Sequence, residues 1–174
     1  MTRLTVFSTV RCLVLTAAAA CLMADSADAQ IFGRSPSAGT IVDVGPGHAG
    51  GQANADGMWT HTDTASRVGS GGSMARGLAI GAGPNGLALS HSIGVNSGGV
   101  GVGHNFNLNI GRGGTHVSHG GVKTVGGNSR VIAGGQTGPR TFGGGVQGGS
   151  HVTGFGNQTK AYTGARTRNF FRRW

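Results

Sequence analysis

Between positions 74 and 125 the chain settles into strict two-residue alternation. Large apolar side chains fall at Leu87, Leu89, Ile93 and Val95, then at Val100, Val102, Phe106, Leu108 and Ile110, with Ala, Ser, Asn, His or Gly between them. That is the period of a strand, whose successive side chains leave opposite faces, and not the 3.6-residue period of a helix. Three clusters with turn chemistry punctuate the run: Gly83-Pro84-Asn85-Gly86, Asn96-Ser97-Gly98-Gly99 and Gly111-Arg112-Gly113-Gly114. In the first, Pro presets φ, Asn tolerates the next position and Gly takes conformations closed to other residues. The pattern predicts an all-β fold: an antiparallel meander of about five strands, roughly 74–133, set in a glycine-rich and partly disordered chain.

Folding the strands back on these four-residue connections gives a register. Val95 falls opposite Val100, which sets Ile93 against Val102, His91 against His104, Leu89 against Phe106 and Leu87 against Leu108. Continuing across the neighbouring turns puts Ile80 opposite Leu89, Leu108 opposite Val117 and Phe106 opposite His119. Every large side chain then shares one face, which a one-residue slip in any strand would undo. The other face carries Ala88, Ser90, Ser92, Gly94, Gly101, Gly103, Asn105, Asn107, Asn109 and Ser118 and is flat, small and polar. The large apolar face needs a cover, from the rest of the chain or from a second molecule.

Outside this block the pattern weakens. Residues 30–73 are mostly Gly, Ala, Ser and Thr with scattered apolar positions, and are expected to be irregular apart from a short strand at 40–44 and a helical turn near 63–68 that Asp63 could cap. A fifth strand is expected at 130–133. Residues 134–163 read as a glycine-rich segment with short strands at 141–142, 151–155 and 160–163. Residues 164–174 read as a basic, aromatic C-terminal tail. The string Gly113-Gly114-Thr115-His116-Val117-Ser118 is echoed by Gly148-Gly149-Ser150-His151-Val152-Thr153, too weakly to define a repeat class.

Residues 1–29 have the layout of a secretory signal peptide: Arg3 and Arg11, an uncharged apolar run from Cys12 to Met23, and Ala27-Asp28-Ala29 before Gln30. The expectation is a signal-peptide helix removed between Ala29 and Gln30, and a mature protein that is secreted, periplasmic or held in the cell envelope. An alternative uses Ala18-Ala19-Ala20-Cys21 as a lipoprotein site, with Cys21 acylated.

Composition sharpens this picture. Both cysteines lie in the leader, so the mature chain can form no disulfide framework. All 37 glycines lie beyond it, well above the ordinary share. Losing Arg3, Arg11, Asp25 and Asp28 with the leader leaves the net charge at +9, with no glutamate in the chain, and such a protein favours polyanionic partners.

Candidate chemistry is sparse. Gly81-Ala82-Gly83-Pro84-Asn85-Gly86 has the G-x-G-x-x-G spacing of a dinucleotide fingerprint, but that motif needs a helix after it and an acidic residue downstream. Here a strand pattern follows and no acidic residue does. His91, His104 and His119 share the apolar face and are candidate metal ligands of the neutral imidazole type. Arg166, Arg168, Arg172, Arg173 and Trp174 are candidate contacts for a polyanion or an anionic surface. Without a nucleophile–base grouping the chain reads as non-enzymatic and cofactor-free. The expected role is an exported structural protein of the envelope or extracellular matrix, forming a homo-oligomer through the apolar sheet face. The alternative is a cationic binding module for an acidic polysaccharide or a polyanionic envelope or matrix component; nucleic acid is a poor fit for an exported chain. A small outer-membrane β-barrel is a further reading of the same alternation.

Overall fold

A computed structural model describes residues 35–139 and 145–170. Among the described residues ten strands form: β1 (Ser37–Gly45), β2 (His48–Asp56), β3 (Trp59–Gly69), β4 (Gly72–Gly83), β5 (Gly86–Ser97), β6 (Val100–Gly111), β7 (Gly114–Val125), β8 (Arg130–Pro139), β9 (Val146–Phe155) and β10 (Gln158–Asn169). They make two antiparallel sheets, one of four strands in the order β2-β1-β8-β9 and one of six in the order β10-β7-β6-β5-β4-β3. The sheets pack face to face, β1 and β8 lying over β4, β5 and β6, and β9 over β6 and β7. The all-β, antiparallel expectation holds, with ten strands in two sheets in place of five in one. The expected leader helix lies outside the described residues.

The meander exists but is shifted. Five consecutive hairpin-linked strands, β3 to β7, run from residue 59 to residue 125, and β10 adds to them beside β7. The expected fifth strand at 130–133 is the start of β8, which leaves the meander and pairs with β1 in the other sheet, Val131 against Val44. The stretch expected to be irregular supplies β1, β2 and β3. The expected strand at 40–44 lies within β1, whereas residues 63–68 are strand and not a helical turn. Segments 151–155 and 160–163 fall within β9 and β10, while 141–142 lies outside the described residues. The expected tail continues β10 as far as Asn169.

Two of the three hairpin registers are as read from the turns: Ile80 opposite Leu89, and Leu108 and Phe106 opposite Val117 and His119. The β5–β6 register differs by two residues. Val95 pairs with Val102, Ile93 with His104, His91 with Phe106, Leu89 with Leu108 and Leu87 with Ile110. The cause is the turn. Gly98 and Gly99 have φ of 57° and 76°, and two residues at positive φ make a tight hairpin loop whose twist suits the strands. Asn96 and Ser97 therefore stay in β5. Asn96 turns inward, where its amide donates to the Ser129 carbonyl at 2.5 Å. Because the slip is an even number of residues, no side chain changes face.

The faces themselves are inverted relative to a soluble sandwich with an apolar core. The small polar face of the meander is the one that the rest of the chain covers. Ser90, Ser92, Asn105, Asn107 and Ser118 are 0% exposed and Asn109 is 2% exposed. Two small apolar clusters flank them, one of Val42, Val44, Ala75, Val122, Val131 and Ala133, the other of Ala38, Ala79 and Ala88. Between these clusters a hydrogen-bonded network crosses from sheet to sheet. Thr40 meets Ser90 and Ser92 at 2.8 and 2.7 Å, Asn107 Nδ2 donates to Asn105 Oδ1 at 2.6 Å and lies 3.0 Å from the Gly149 carbonyl, and Ser150 Oγ donates to Asn105 Oδ1 at 2.7 Å. Buried amides and hydroxyls are tolerable only when paired in this way. One glycine makes room for the network: a Cβ at Gly135 would lie 2.4 Å from both Asn105 Oδ1 and Asn107 Nδ2.

Candidate functional site

Because the small residues fill the interior, the large ones of the six-stranded sheet point outward. The ladder registers place them in rows across the strands. One row runs His61, Ile80, Leu89, Leu108, Val117 and Arg166; the next runs Asp63, Leu78, His91, Phe106, His119 and Gly164. A third runs Arg67, Met74, Val95, Val102, Lys123 and Lys160. Between the second and third lies a row of Ala65, Arg76, Ile93, His104, Gly121 and Tyr162, so the strands β4 to β7 carry a mainly apolar block interrupted by Arg76, His91, His104, His119 and Lys123. Leu78, Leu89, Ile93, Phe106 and Leu108 are half-buried by their neighbours in the sheet, whereas Val102 and Ile110 remain 47% and 42% exposed. No other described strand packs over this face.

Charge is sorted with the same polarity. Arg67, Arg76, Lys123, Lys160, Arg166 and Arg168 all stand on the outer face of the six-stranded sheet, most of them near its β3 and β10 edges. Among the described residues Asp63 is the carboxylate on this face, and it accepts a hydrogen bond from Arg76 Nη2 at 2.8 Å. The outer face of the four-stranded sheet is mostly polar, with Ile41, Ile132 and Phe155 as its apolar positions among the described residues. There Arg130 donates Nε to Asp43 Oδ1 at 2.7 Å and Nη2 to Asp43 Oδ2, and the bond to Asp43 holds the guanidinium pKa above its usual value.

Aromatic side chains mark both edges of the apolar block. Trp59 on β3 stacks on His61 with ring centroids 6.3 Å apart, and Tyr162 on β10 meets His119 edge-on at 6.0 Å. Opposite His119, Gly164 offers no side chain, and a groove of about 760 Å³ opens there between β7 and β10, lined by Val117, His119, Gly164, Arg166, Arg168 and Phe170. Its walls are largely apolar with two guanidinium groups at one end.

The candidate metal ligands fare differently from their expected register. His91 and His104 are not cross-strand partners: His91 faces Phe106, and His104 faces Ile93. His91, Phe106 and His119 share a row, with His104 one row away. No group of three or more metal-ligating side chains comes together among the described residues. The histidines are close enough to feel one another: the His104 pKa is lowered first by burial and then by His119 and His91. Of the basic candidates, Arg166 and Arg168 lie on β10, while Arg172, Arg173 and Trp174 fall outside the described residues. The G-x-G-x-x-G string is the β4–β5 hairpin, with Gly83 paired to Gly86. The echoed strings are out of phase, His116 pointing into the sandwich and His151 out of it.

Sequence reasoning missed Arg67, Arg76, Lys123, Lys160, Trp59 and Tyr162 as parts of one surface. A signal for β10 was present: Lys160, Tyr162, Arg166 and Arg168 alternate with Ala161, Thr163, Ala165 and Thr167. No protein-family model, curated protein or solved structure matches this chain.

Proposed function

We propose that the protein is an exported, non-enzymatic β-protein of the cell envelope or extracellular matrix that works by adhesion, through the outer face of its six-stranded sheet. The inversion of the sandwich carries this reading. A chain that spends its folding contacts on covering Ser, Asn and Ala leaves Leu78, Leu89, Ile93, Phe106 and Leu108 on the outside, and contiguous exposed apolar surface on a protein marks a partner site. The absence of glutamate from the chain and of cysteine from the mature part supports a non-catalytic role. So does the engagement of Asp43 and Asp63 with arginines.

A second reading, a cationic module for an anionic envelope surface, is favoured by the cations gathered on that same face. Cell fractionation with intact-mass measurement tests the proposal. The expected result is a chain beginning at Gln30 in the envelope or particulate fraction, released into the soluble fraction by Phe106→Asp. A compact soluble monomer that binds no hydrophobic dye at high concentration would overturn it.

A further inference from the structure

We propose that the partner of this face is an anionic lipid layer, on which the six-stranded sheet lies flat with its apolar block turned toward the acyl chains. The inference rests on the adhesive reading above and names its partner.

Three observations converge on it. The apolar block of Leu89, Ile93, Phe106 and Leu108 sits at the centre of the face, in β5 and β6, with the imidazoles of His91 and His104 set among it as cross-strand partners of Phe106 and Ile93. Cations flank it: Arg67, and Arg76 paired with Asp63, on one side, and Lys123, Lys160, Arg166 and Arg168 on the other. Trp59 and Tyr162, 57% and 58% exposed, stand on the two edge strands. Aromatic rings with a polar end belong at the headgroup level of a membrane, and cations beside an apolar face are what draw a surface-lying element to anionic lipid.

The same features disfavour the other occupants. A second copy docked face to face would bring the two sets of cations together. A soluble acidic polysaccharide would satisfy the cations but leave the apolar block without a partner. On the opposite side of the molecule, the four-stranded sheet shows Asp43 bonded to Arg130, with Gln52, Asn54 and Gln136 outward-facing and, among the described residues, only Ile41, Ile132 and Phe155 apolar there. That polarity suits one-sided docking better than a strand wall surrounded by lipid. The β7–β10 groove, with Arg166 and Arg168 at one end, gives a place for a phosphate headgroup beside an apolar wall.

The experiment uses the full-length chain purified in the form the expressing cell produces. It is titrated into vesicles of phosphatidylcholine alone and of phosphatidylcholine mixed with phosphatidylglycerol, at low and high salt. Sedimentation with the vesicles and a blue shift of tryptophan fluorescence are the readouts. The expected result is binding to the phosphatidylglycerol vesicles, weakened by salt. Arg166→Ser with Arg168→Ser should weaken it roughly 30-fold, from the usual contribution of a basic residue at an anionic surface. Val102→Asp with Ile110→Asp should abolish it; both positions are exposed, so the fold is retained, as circular dichroism would check. Gln136→Asp, on the far sheet, should change nothing.

Equal binding to both vesicle types, or binding that a soluble polyanion matches in strength, would overturn the lipid proposal and leave the adhesive face standing. Salt-resistant oligomers with no vesicle binding, lost in the Val102→Asp, Ile110→Asp variant, would do the same and identify a second copy as the partner. A monomer that binds neither vesicles nor dye would overturn both readings.

Discussion

Thr40 of the four-stranded sheet hydrogen bonds to Ser90 and Ser92 of the six-stranded sheet, at 2.8 and 2.7 Å. Its hydroxyl thus joins the two layers where water does not reach, since Ser90 and Ser92 are fully buried. Thr40→Val keeps the shape and deletes the shared partner, leaving two buried serines each short of a bond. Stability should fall by about 1–3 kcal/mol, read as a lower urea midpoint with an unchanged slope. Thr40→Ser should recover most of the loss.

The closeness of the sheets around this network has a sharper test at glycine. A methyl group at Gly135 would meet Asn105 and Asn107 at 2.4 Å and the Gly149 carbonyl at 2.5 Å, whereas one at Gly149 would meet nothing within 4 Å. Gly135→Ala should cost about 1–3 kcal/mol by overpacking. Gly149→Ala, next to Gly135's ladder partner Ser150 but facing outward, should stay within about 0.5 kcal/mol of the parent. Equal melting temperatures for the two variants would show that the interior is looser than described.

The β5–β6 register can be settled by crosslinking. Directly opposite residues bring their Cβ atoms to about 4.5–5.5 Å, while a diagonal pair lies near 7 Å, beyond the reach of a disulfide without movement. Cysteines at Val95 and Val102, which are partners, should oxidise faster than cysteines at Ile93 and Val102. The opposite order would restore the pairing of Val95 with Val100.

The parts of this fold that were legible from residues are those where side-chain size alternates strongly. Leu87, Leu89 and Ile93 against Ala88, Ser90 and Ser92 announce β5 without ambiguity. In β2 the inward positions are Ala49, Gly51, Ala53 and Ala55, too small to raise an apolar signal above their polar neighbours, so strand periodicity is present and unseen. Which face would be covered was also hidden. Apolar transfer favours covering Phe106 and Leu108, yet the inward surfaces of β1, β8 and β9 offer Ala38, Thr40, Ala133 and Ser150, whose size and hydrogen-bonding groups match Ser90 and Asn107. Complementarity with the small face decided the packing, and the outer site follows from that choice. Arg166 and Arg168 of β10 looked like a tail because charge and a missing apolar period conceal an edge strand.

On the far side of the molecule, the Asp43–Arg130 pair ties β1 to β8. The Asp43 side chain is 7% exposed, and His48 Nε2 lies 3.3 Å from its Oδ2. Asp43→Asn should cost about 1.5–3 kcal/mol, the usual size for a hydrogen bond to a charged group. Arg130→Gln in the Asp43→Asn background should then cost much less than it does alone. Strict additivity in this double-mutant cycle would mean that the pair contributes no coupling.

His116 should make stability depend on pH. Its ring is buried between β7 and the neighbouring strands at 4% exposure, and Nδ1 lies 2.7 Å from Thr167 Oγ1. Its Nε2 reaches no hydrogen-bond partner of good geometry, and the nearby Gly148 backbone only partly opposes the effect of burial, so the pKa is held below 6.5. His104 shifts the same way on the outer face, through burial first and the neighbouring His119 and His91 next. In the unfolded chain both rings titrate near 6.5, so between that value and the lower folded one the unfolded state binds more protons, and stability rises with pH. The stabilisation is complete above 6.5 and is lost as pH falls through 6.5 toward the folded values, below which no further loss arises from these groups. The protein should therefore melt at a lower temperature near about pH 5 than at about pH 7.5. His116→Asn keeps a polar group toward Thr167 but cannot titrate, and His104→Gln does the same on the outer face. Each should flatten part of the slope, His116→Asn while also lowering stability at neutral pH. A slope that survives unchanged in both variants would assign the pH dependence to other groups.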